Sequence, residues 1–156
     1  MPRSHQPHVG ASVSVGGYSV YVGGSQDLAG APDIFREMDI IIPLNGIVST
    51  IFEGTVLPIV LQDFGGVPRD WEQILREQVI PALEADKRVL AYCTAGHGRT
   101  GTLLASLVAL LEPDIEDPIA TVRARHCEHA VETRAQAEAI FALLDQPIPE
   151  PYTRLY

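Results

Sequence analysis

The segment RVLAYCTAGHGRTG, residues 88–101, decides the fold. It begins with a short apolar run typical of a buried strand and leads into the apolar residues Thr100 to Leu111, which favour a helix. The connection between them is so short that its backbone must wrap over the helix N-terminus, where unpaired N–H groups point outward. Gly96 and Gly98 allow the backbone to turn this tightly. A strand, a loop and a helix in this order indicate an α/β fold.

The same loop carries groups that can bind an anion and attack it. Cys93 ends the strand, so its thiol lies near the positive end of the helix dipole, which favours the thiolate form. The planar guanidinium of Arg99 matches the oxygens of a phosphate group. We therefore expect the loop from Cys93 to Arg99 to hold a phosphate-sized anion and to direct a sulfur nucleophile at it. We call this segment the anion loop. The simple alternative is a buried cysteine in a glycine-rich turn beside a surface arginine.

The composition describes one acidic globular domain. The chain has 156 residues, of which 46% are hydrophobic, and its formal net charge is −9. This charge argues against broad electrostatic binding of nucleic acid or of an anionic membrane, because both require a basic surface. The longest apolar stretch, Leu103 to Leu111, is far shorter than a membrane span. Without an apolar signal-peptide core or a disulfide framework, we expect a cytoplasmic protein that is a monomer by default.

The remaining segments complete an α/β pattern. We expect a central, mostly parallel sheet of about four to five strands flanked by helices on both faces, with the anion site at its carboxyl edge. This domain spans residues 11–146, after a flexible N-terminus at residues 1–10 and before a Pro-rich, extended tail at residues 147–156. The pattern predicts a strand or hairpin over Val13–Val22, strands over Asp39–Pro43, Thr55–Leu61 and Arg88–Tyr92, a helix opened by Asp70, and helices over Ala31–Glu37, Thr100–Leu111, Asp117–Arg125 and Thr133–Leu144.

Cys93, five intervening residues, Arg99 and Thr100 resemble the signature loop of the cysteine-dependent protein tyrosine and dual-specificity phosphatases. The short chain looks most like the small, single-domain dual-specificity type. The resemblance implies that a phosphomonoester is hydrolysed through a phosphocysteine intermediate, without a metal or other cofactor. It implies that Cys93 is the nucleophile and that Thr100 stabilises the departing thiolate. The phosphate oxygens would be held by Arg99 and by the backbone N–H groups of Thr94, Ala95, Gly96, His97, Gly98 and Arg99.

The resemblance also implies two further site residues. The family's general acid is an aspartate on a mobile loop upstream of the cysteine, and Asp63 fits, because it follows a predicted strand and precedes a flexible Gly65-Gly66 pair. The alternative for Asp63 is a plain turn residue, while Asp70 is better explained as a helix cap and Asp86 as a turn residue. Near the start of the last helix, Gln136 would position the hydrolytic water; otherwise it is an exposed helix residue.

The chain departs from the family pattern just before the nucleophile. The family usually has histidine there, and this chain has Tyr92. Since tyrosine cannot become cationic near neutral pH, we expect Cys93 to be less ionised and activity either to be lower or to peak at higher pH. His97 is expected to reach solvent at the mouth of the pocket and, when partly protonated, to favour substrates with additional negative charge.

The downstream segment from Val122 to Gln136 leaves several alternatives open. Arg123 or Arg125 either buttresses the anion loop or is solvated. The run His126-Cys127-Glu128-His129 could be taken for a metal site, but nothing else in the chain completes a four-ligand zinc site, so we expect no metal. We expect Cys127 to be a partly buried thiol, with a redox partnership with Cys93 as the alternative.

These observations predict an enzyme. Its expected substrates are phosphotyrosine and, for a dual-specificity enzyme, phosphoserine or phosphothreonine in proteins, or another small phosphomonoester. One alternative is the same chemistry on a phosphoinositide, phospho-sugar or nucleotide. The other is a non-catalytic phospho-binding module that keeps the loop without turnover. We expect no nucleic-acid partner and no membrane insertion.

Overall fold

The computed structural model describes residues 9–156, which form a five-stranded sheet of order β1-β2-β5-β3-β4. β1 and β2 are antiparallel, and the pairs β2–β5, β5–β3 and β3–β4 are parallel. The predicted mostly parallel sheet is therefore confirmed. The strands are β1 (Val9–Val15), β2 (Tyr18–Gly24), β3 (Ile40–Pro43), β4 (Thr55–Val56) and β5 (Val89–Cys93).

Strand β5 lies in the middle of the sheet, and all five of its residues are buried. Its side chains alternate between the two faces, as the pleat requires. Leu90 and Tyr92 pack in one apolar cluster, whereas Val89, Ala91 and Cys93 pack in the other. Parallel strands buried on both faces explain why β3 and β5 are continuous apolar runs.

Helices cover both faces, as the sequence predicted. The smaller cluster lies against the short helices α1 (Ser25–Ala29) and α2 (Asp33–Arg36). The larger cluster is built from the later helical segments, which enclose the other face. These are α3 (Trp71–Ile74), a π-helical turn (Leu75–Val79), α4 (Ile80–Glu84), α5 (Gly98–Leu111), α6 (Pro118–Arg125) and α7 (Arg134–Ala142).

Helix α5 is buried over almost its whole length, which agrees with its apolar composition. Its few hydroxyl groups form a buried chain of hydrogen bonds. Thr102 Oγ1 donates to Gly98 O at 2.7 Å, and Ser106 Oγ donates to Thr102 O at 2.7 Å. Trp71 Nε1 donates to Ser106 Oγ at 2.9 Å and so joins α3 to α5. The indole N–H of a buried tryptophan is thereby satisfied.

Two predicted elements differ in detail. The strand expected over Thr55–Leu61 pairs with β3 only at Thr55 and Val56. The N–H groups of Thr55 and Leu57 donate to the carbonyls of Asp39 and Ile41 at 3.0 and 2.9 Å. The N–H of Ile59 is next in this alternation, but it donates to Leu57 O at 2.8 Å, so the ladder does not continue. Asp70 occupies the N-cap position of α3, as predicted, but its side chain makes no capping hydrogen bond there.

The C-terminal segment, residues 147–156, is not extended throughout, which corrects the expected extended tail. Glu150–Arg154 form a 3-10 helix, and Tyr152 is only 7% exposed because its ring packs against Phe141. At the other end, Val9 and Gly10 already belong to β1; the rest of the flexible segment expected at residues 1–10 lies outside the described residues. Across residues 9–156, no helix is long and apolar enough to cross a membrane.

Candidate active site

The loop from Cys93 to Arg99 joins the carboxyl end of β5 to the N-terminus of α5. Gly96 has φ +85°, a conformation that favours glycine. A Cβ atom on Gly96 would also lie 3.0 Å from the carbonyl of Gly23, which leaves no room for a side chain. The loop is therefore packed against the end of β2, and its glycine is required by both conformation and space.

The sulfur of Cys93 is buried beside the first turn of α5. Thr100 Oγ1 donates a hydrogen bond to Cys93 Sγ at 3.1 Å, and both residues are buried. A hydroxyl donor and the N-terminus of α5 therefore both lie next to the sulfur. The two side chains are thus in contact, and their roles as nucleophile and as the group that stabilises the thiolate stay predictions.

Arg99 lies across the loop rather than out in solvent. Its Nη2 is 3.2 Å from Thr94 Oγ1, and its Nη1 is 3.4 Å from the carbonyl oxygen of Leu61. Its Nε lies 3.8 Å from Asp63 Oδ1, so the guanidinium and this carboxylate are neighbours. The Arg99 side chain is 10% exposed and that of Asp63 is 59% exposed, which places Asp63 at the solvent side of the site. The alternative of a surface arginine is therefore wrong.

A second carboxylate, Glu132, lies beside the same loop. A methyl group on Gly98 would collide with Glu132 Oε1, so the two residues are in close contact. Burial raises the pKa of Glu132, and the negative charge of Asp63 raises it further, while His129, the Gly98 N–H and Arg99 act in the opposite direction. A half-buried carboxyl group with a raised pKa at an anion loop is a candidate proton donor.

No protein-family profile matches the sequence. Among curated proteins, an uncharacterized protein of Methanocaldococcus jannaschii, MJ0215, is 35% identical over 88 residues, which cover 56% of this chain and 54% of that protein. The match thus spans about half the length of this relative. The name of this relative states no activity, so the similarity by itself identifies no function.

Solved structures decide the fold. Tk-PTP in its active form superposes with a TM-score of 0.68 at 21% identity, over 87% of this chain and 97% of that one. The kinase-associated phosphatase KAP, with its catalytic-site cysteine replaced by serine, gives 0.65 at 13% identity, over 90% and 96%. This chain has the tyrosine and dual-specificity phosphatase fold. The expected resemblance is thus confirmed for the fold.

Within this phosphatase fold, Gln136 has a structural task that the sequence did not predict. It is 2% exposed, and its Oε1 accepts hydrogen bonds from the N–H groups of Glu132 at 2.7 Å and Thr133 at 3.2 Å. Thr133 Oγ1 in turn accepts from the Gln136 N–H, which completes a capping box at the start of α7. The alternative of an exposed helix residue is wrong, and the role in positioning water stays a prediction.

Sequence reasoning missed Glu132, although a signal was present. Thr133 followed three residues later by Gln136 is a capping-box pattern, which places Glu132 directly before a helix. That the carboxylate faces the anion loop of the phosphatase fold depends on packing: Arg123 donates to the carbonyls of Ala130 at 2.9 Å and Val131 at 2.8 Å. Arg123 therefore buttresses the segment that carries Glu132.

One histidine lies in the anion loop and two lie beside it, and their contacts differ. His126 Nε2 lies 2.7 Å from the carbonyl oxygen of Gly96, so this nitrogen carries the proton and donates it. His97 is 7% exposed, and its ring contacts Cys127 Sγ at 3.3 Å and the ring of His129 at 5.4 Å between centroids. The prediction that His97 reaches solvent at the pocket mouth is wrong, because the 126–132 segment covers it.

The remaining alternatives at this segment concern metal and redox chemistry. Between Val9 and Tyr156, no group of three or more His, Cys, Asp and Glu side chains is arranged to hold a metal ion. Cys127 is half-buried and free, as expected, and burial raises the pKa of its thiol. A raised pKa makes a thiol less reactive, which disfavours its use as a redox partner.

Proposed function

We propose that this protein hydrolyses phosphomonoesters through a phosphocysteine intermediate, with phosphorylated tyrosine, serine or threonine residues of proteins as its substrates. The observation that carries the proposal is the joint placement of Cys93 Sγ, the Thr100 hydroxyl and the Arg99 guanidinium around one loop at the N-terminus of α5. A helix N-terminus with an adjacent guanidinium stabilises the charge on a transferring phosphoryl group.

In the first step, the Cys93 thiolate attacks phosphorus. The S–P bond forms while the bond between phosphorus and the leaving oxygen breaks, and that oxygen takes a proton from a carboxylic acid. The equatorial oxygens are held by Arg99 and by the backbone N–H groups of residues 94–99. The phosphoryl group thereby becomes a phosphocysteine.

In the second step, water attacks the phosphocysteine. The carboxylate that gave up its proton now accepts one from the water, the new P–O bond forms and the S–P bond breaks. The electron pair returns to Cys93 Sγ, where the hydrogen bond from Thr100 stabilises the thiolate. Inorganic phosphate leaves, and the enzyme is ready for another substrate.

Two carboxyl groups could supply the proton, and we assign this role to Asp63. Asp63 lies at the solvent side of Arg99, where the leaving group of a bound phosphoprotein would emerge. Glu132 is the competing candidate, because its raised pKa keeps it protonated over a wider range of pH. Asp63→Asn should slow substrates with poor leaving groups far more than those with good ones. If Glu132→Gln produced this pattern and Asp63→Asn did not, Glu132 would be the acid.

The proposal is tested with p-nitrophenyl phosphate in the presence of EDTA. The wild-type protein should release phosphate, and Cys93→Ser should reduce the rate to background while phosphate analogues still bind. Cys127→Ser is the matched control, because it removes the other cysteine and leaves the loop intact. A Cys93→Ser variant that kept substantial activity would contradict the thiolate mechanism. A wild-type protein that bound phosphopeptide tightly without turnover would be the phospho-binding module instead.

Protein substrates are favoured over phosphoinositides by the surroundings of the loop. A site for a multiply charged headgroup requires several exposed basic residues, whereas His97 is buried and the chain carries a net charge of −9. Phosphate release from a phosphotyrosine peptide, a phosphoserine peptide and a phosphoinositide, measured side by side, decides the class. Preference for the phosphoinositide would contradict this part of the proposal.

A further inference from the structure

Tyr92 precedes the nucleophile in the chain, but its ring lies on the other face of the sheet from Cys93. Its ring belongs to the cluster beneath α1 and α2, where it meets Phe35 edge to face at 5.9 Å. Cys93 belongs to the larger cluster on the opposite side. Successive residues of a strand point to opposite faces, so Tyr92 is poorly placed to influence the sulfur directly.

The hydroxyl of Tyr92 instead contacts the loop that follows β3. Tyr92 Oη donates to the carbonyl oxygen of Ile47 at 2.6 Å. Burial raises the pKa of Tyr92, and a backbone hydrogen bond from Ser49 opposes this change. One buried hydroxyl therefore makes two contacts with a segment that has no helix or strand of its own. We call this segment, residues 45–51, the 45–51 loop.

The 45–51 loop borders the anion loop. Asn45 Nδ2 lies 3.4 Å from Thr94 Oγ1, the same oxygen that contacts Arg99. The apolar side chains beyond Asn45 are turned to solvent: Ile47 is 60% exposed, Val48 47% and Ile51 42%. Exposed branched apolar residues next to an anion site mark a contact surface more often than a structural one.

The neighbouring segment adds two apolar side chains to this surface. Val60 lies against Gly46 and is 54% exposed, and Phe64, next to Asp63, is 57% exposed. Phe64 has φ +56°, a strained conformation for a bulky residue, and such strain is concentrated at functional sites. Apolar residues therefore border the Asp63 side of the anion loop, where the rest of a substrate would lie.

We propose that Tyr92 is a positioning residue that anchors the 45–51 loop so that Ile47 and Val48 contact an apolar side chain next to the phosphorylated residue of a protein substrate. The inference rests on the proposed phosphatase function and deepens it. The occupant is an apolar peptide segment because the exposed side chains of the loop are branched and uncharged, and because a chain of net charge −9 disfavours acidic flanking residues.

The test compares Tyr92→Phe with wild type on three substrates: p-nitrophenyl phosphate, a phosphotyrosine peptide with leucine on both sides, and the same peptide with glycine on both sides. We expect KM for the leucine peptide to rise about three- to tenfold, with kcat and the pH profile unchanged. Rates with p-nitrophenyl phosphate should stay within about twofold. Backbone amides of the 45–51 loop should exchange hydrogen faster in Tyr92→Phe.

Ile47→Ser tests the contact surface independently, because it changes an exposed side chain and leaves the anchor intact. It should remove the preference for the leucine peptide. Tyr21→Phe is the matched control: Tyr21 packs against the same cluster but belongs to β2, away from the 45–51 loop. It should leave all three substrates unaffected.

Two results would overturn the inference. If the ratio of KM values for the two peptides were unchanged in both Tyr92→Phe and Ile47→Ser, the 45–51 loop would not be a contact surface for the substrate. A shifted pH profile with an equal loss of activity on p-nitrophenyl phosphate would mean that Tyr92 acts through Cys93.

A wild-type protein without phosphatase activity would contradict the proposed function and the substrate part of this inference together. The anchor would then stand or fall on the exchange rates of the 45–51 loop.

Discussion

At the scale of single residues, the contact between His126 and Gly96 controls the shape of the anion loop. Gly96 holds a positive φ, and its carbonyl accepts the proton of His126 Nε2 at 2.7 Å. In the same loop, Arg99 Nη2 donates to Thr94 Oγ1 at 3.2 Å. Because the loop has no repetitive structure, one such side-chain contact has a large share in selecting its conformation.

His126→Ala should lower kcat/KM for p-nitrophenyl phosphate about fivefold, because it removes a hydrogen bond of about 1 kcal/mol that holds the loop in its binding conformation. The kinetic constants of the purified variant measure the effect. His129→Ala is the control, since His129 Nε2 has no hydrogen-bond partner and its loss should leave the loop carbonyl in place. Equal effects of the two variants would contradict the role given to His126.

The same histidine makes a pH dependence predictable. Burial lowers the pKa of His126, and the hydrogen bond to Gly96 only partly offsets this. The folded state therefore stabilises the neutral imidazole of His126. Its contribution to the free energy of unfolding is complete above the pKa of about 6.5 that histidine has in the unfolded chain. This contribution is lost as the pH falls through the lower pKa of His126 in the folded state. Unfolding midpoints from pH 8 downward should fall less steeply in His126→Ala than in wild type. Parallel curves would show that His126 is not the group that titrates.

At the scale of secondary-structure elements, the buried hydroxyls of α5 connect the anion loop to α3. The chain of donors passes from Trp71 to Ser106, on to Thr102 and finally to the carbonyl of Gly98 in the loop. Each group is buried, so the removal of one member leaves a partner without its hydrogen bond. The chain thus helps to fix the start of α5, where Thr100 donates to Cys93 Sγ.

Ser106→Ala should destabilise the protein by about 1–3 kcal/mol, because Trp71 Nε1 is left buried without an acceptor. For a domain of this length we expect a fall in Tm of roughly 3–9 °C, measured by thermal unfolding. Trp71→Phe provides the background for a double-mutant cycle, since it removes the donor. In the Trp71→Phe background, Ser106→Ala should lower the free energy of unfolding clearly less than in the wild-type background. An equal loss in both backgrounds would show that the hydrogen bond between Trp71 and Ser106 is not the cause.

At the scale of the whole molecule, the C-terminal 3-10 helix supports the segment that borders the site. Tyr152 Oη donates to Asp117 Oδ2 at 2.6 Å, and the guanidinium of Arg123 lies 5.5 Å from the centre of the Tyr152 ring. Arg123 in turn holds the carbonyls of Ala130 and Val131. Contacts therefore run without interruption from the C-terminal residues to the backbone next to Glu132.

Tyr152→Phe should lower stability by about 1.5 kcal/mol, because the Asp117 carboxylate loses a charge-assisted donor. Thermal unfolding should show a fall in Tm of roughly 3–6 °C. Tyr156→Phe is the control, since Tyr156 is 94% exposed and its hydroxyl should contribute nothing measurable. A Tyr152→Phe protein as stable as Tyr156→Phe would mean that the C-terminal residues are not held by this bond.

Local features of the chain were predictable from residue order. The run of apolar residues in β5, the glycines of the loop and the apolar helix α5 are neighbours in the chain, and their geometry follows from strand, loop and helix chemistry alone. The spacing of Cys93, Arg99 and Thr100 was also predictable from residue order, because all three lie within one short stretch. Their expected proximity therefore needed no knowledge of how distant elements pack.

Apart from Asp63, only the tertiary structure decided which distant residues lie near the loop or support it. Glu132, the 45–51 loop and Tyr152 are each brought into place by contacts between segments far apart in the chain. Val131 adopts φ +65°, a conformation that a β-branched residue avoids unless its surroundings impose it, and Arg123 supplies that constraint. The amino-acid order determined the loop from Cys93 to Arg99, because local backbone chemistry suffices for it. Packing of whole elements determined where Glu132 and the 45–51 loop lie, because only contacts with segments far away in the chain fix their positions.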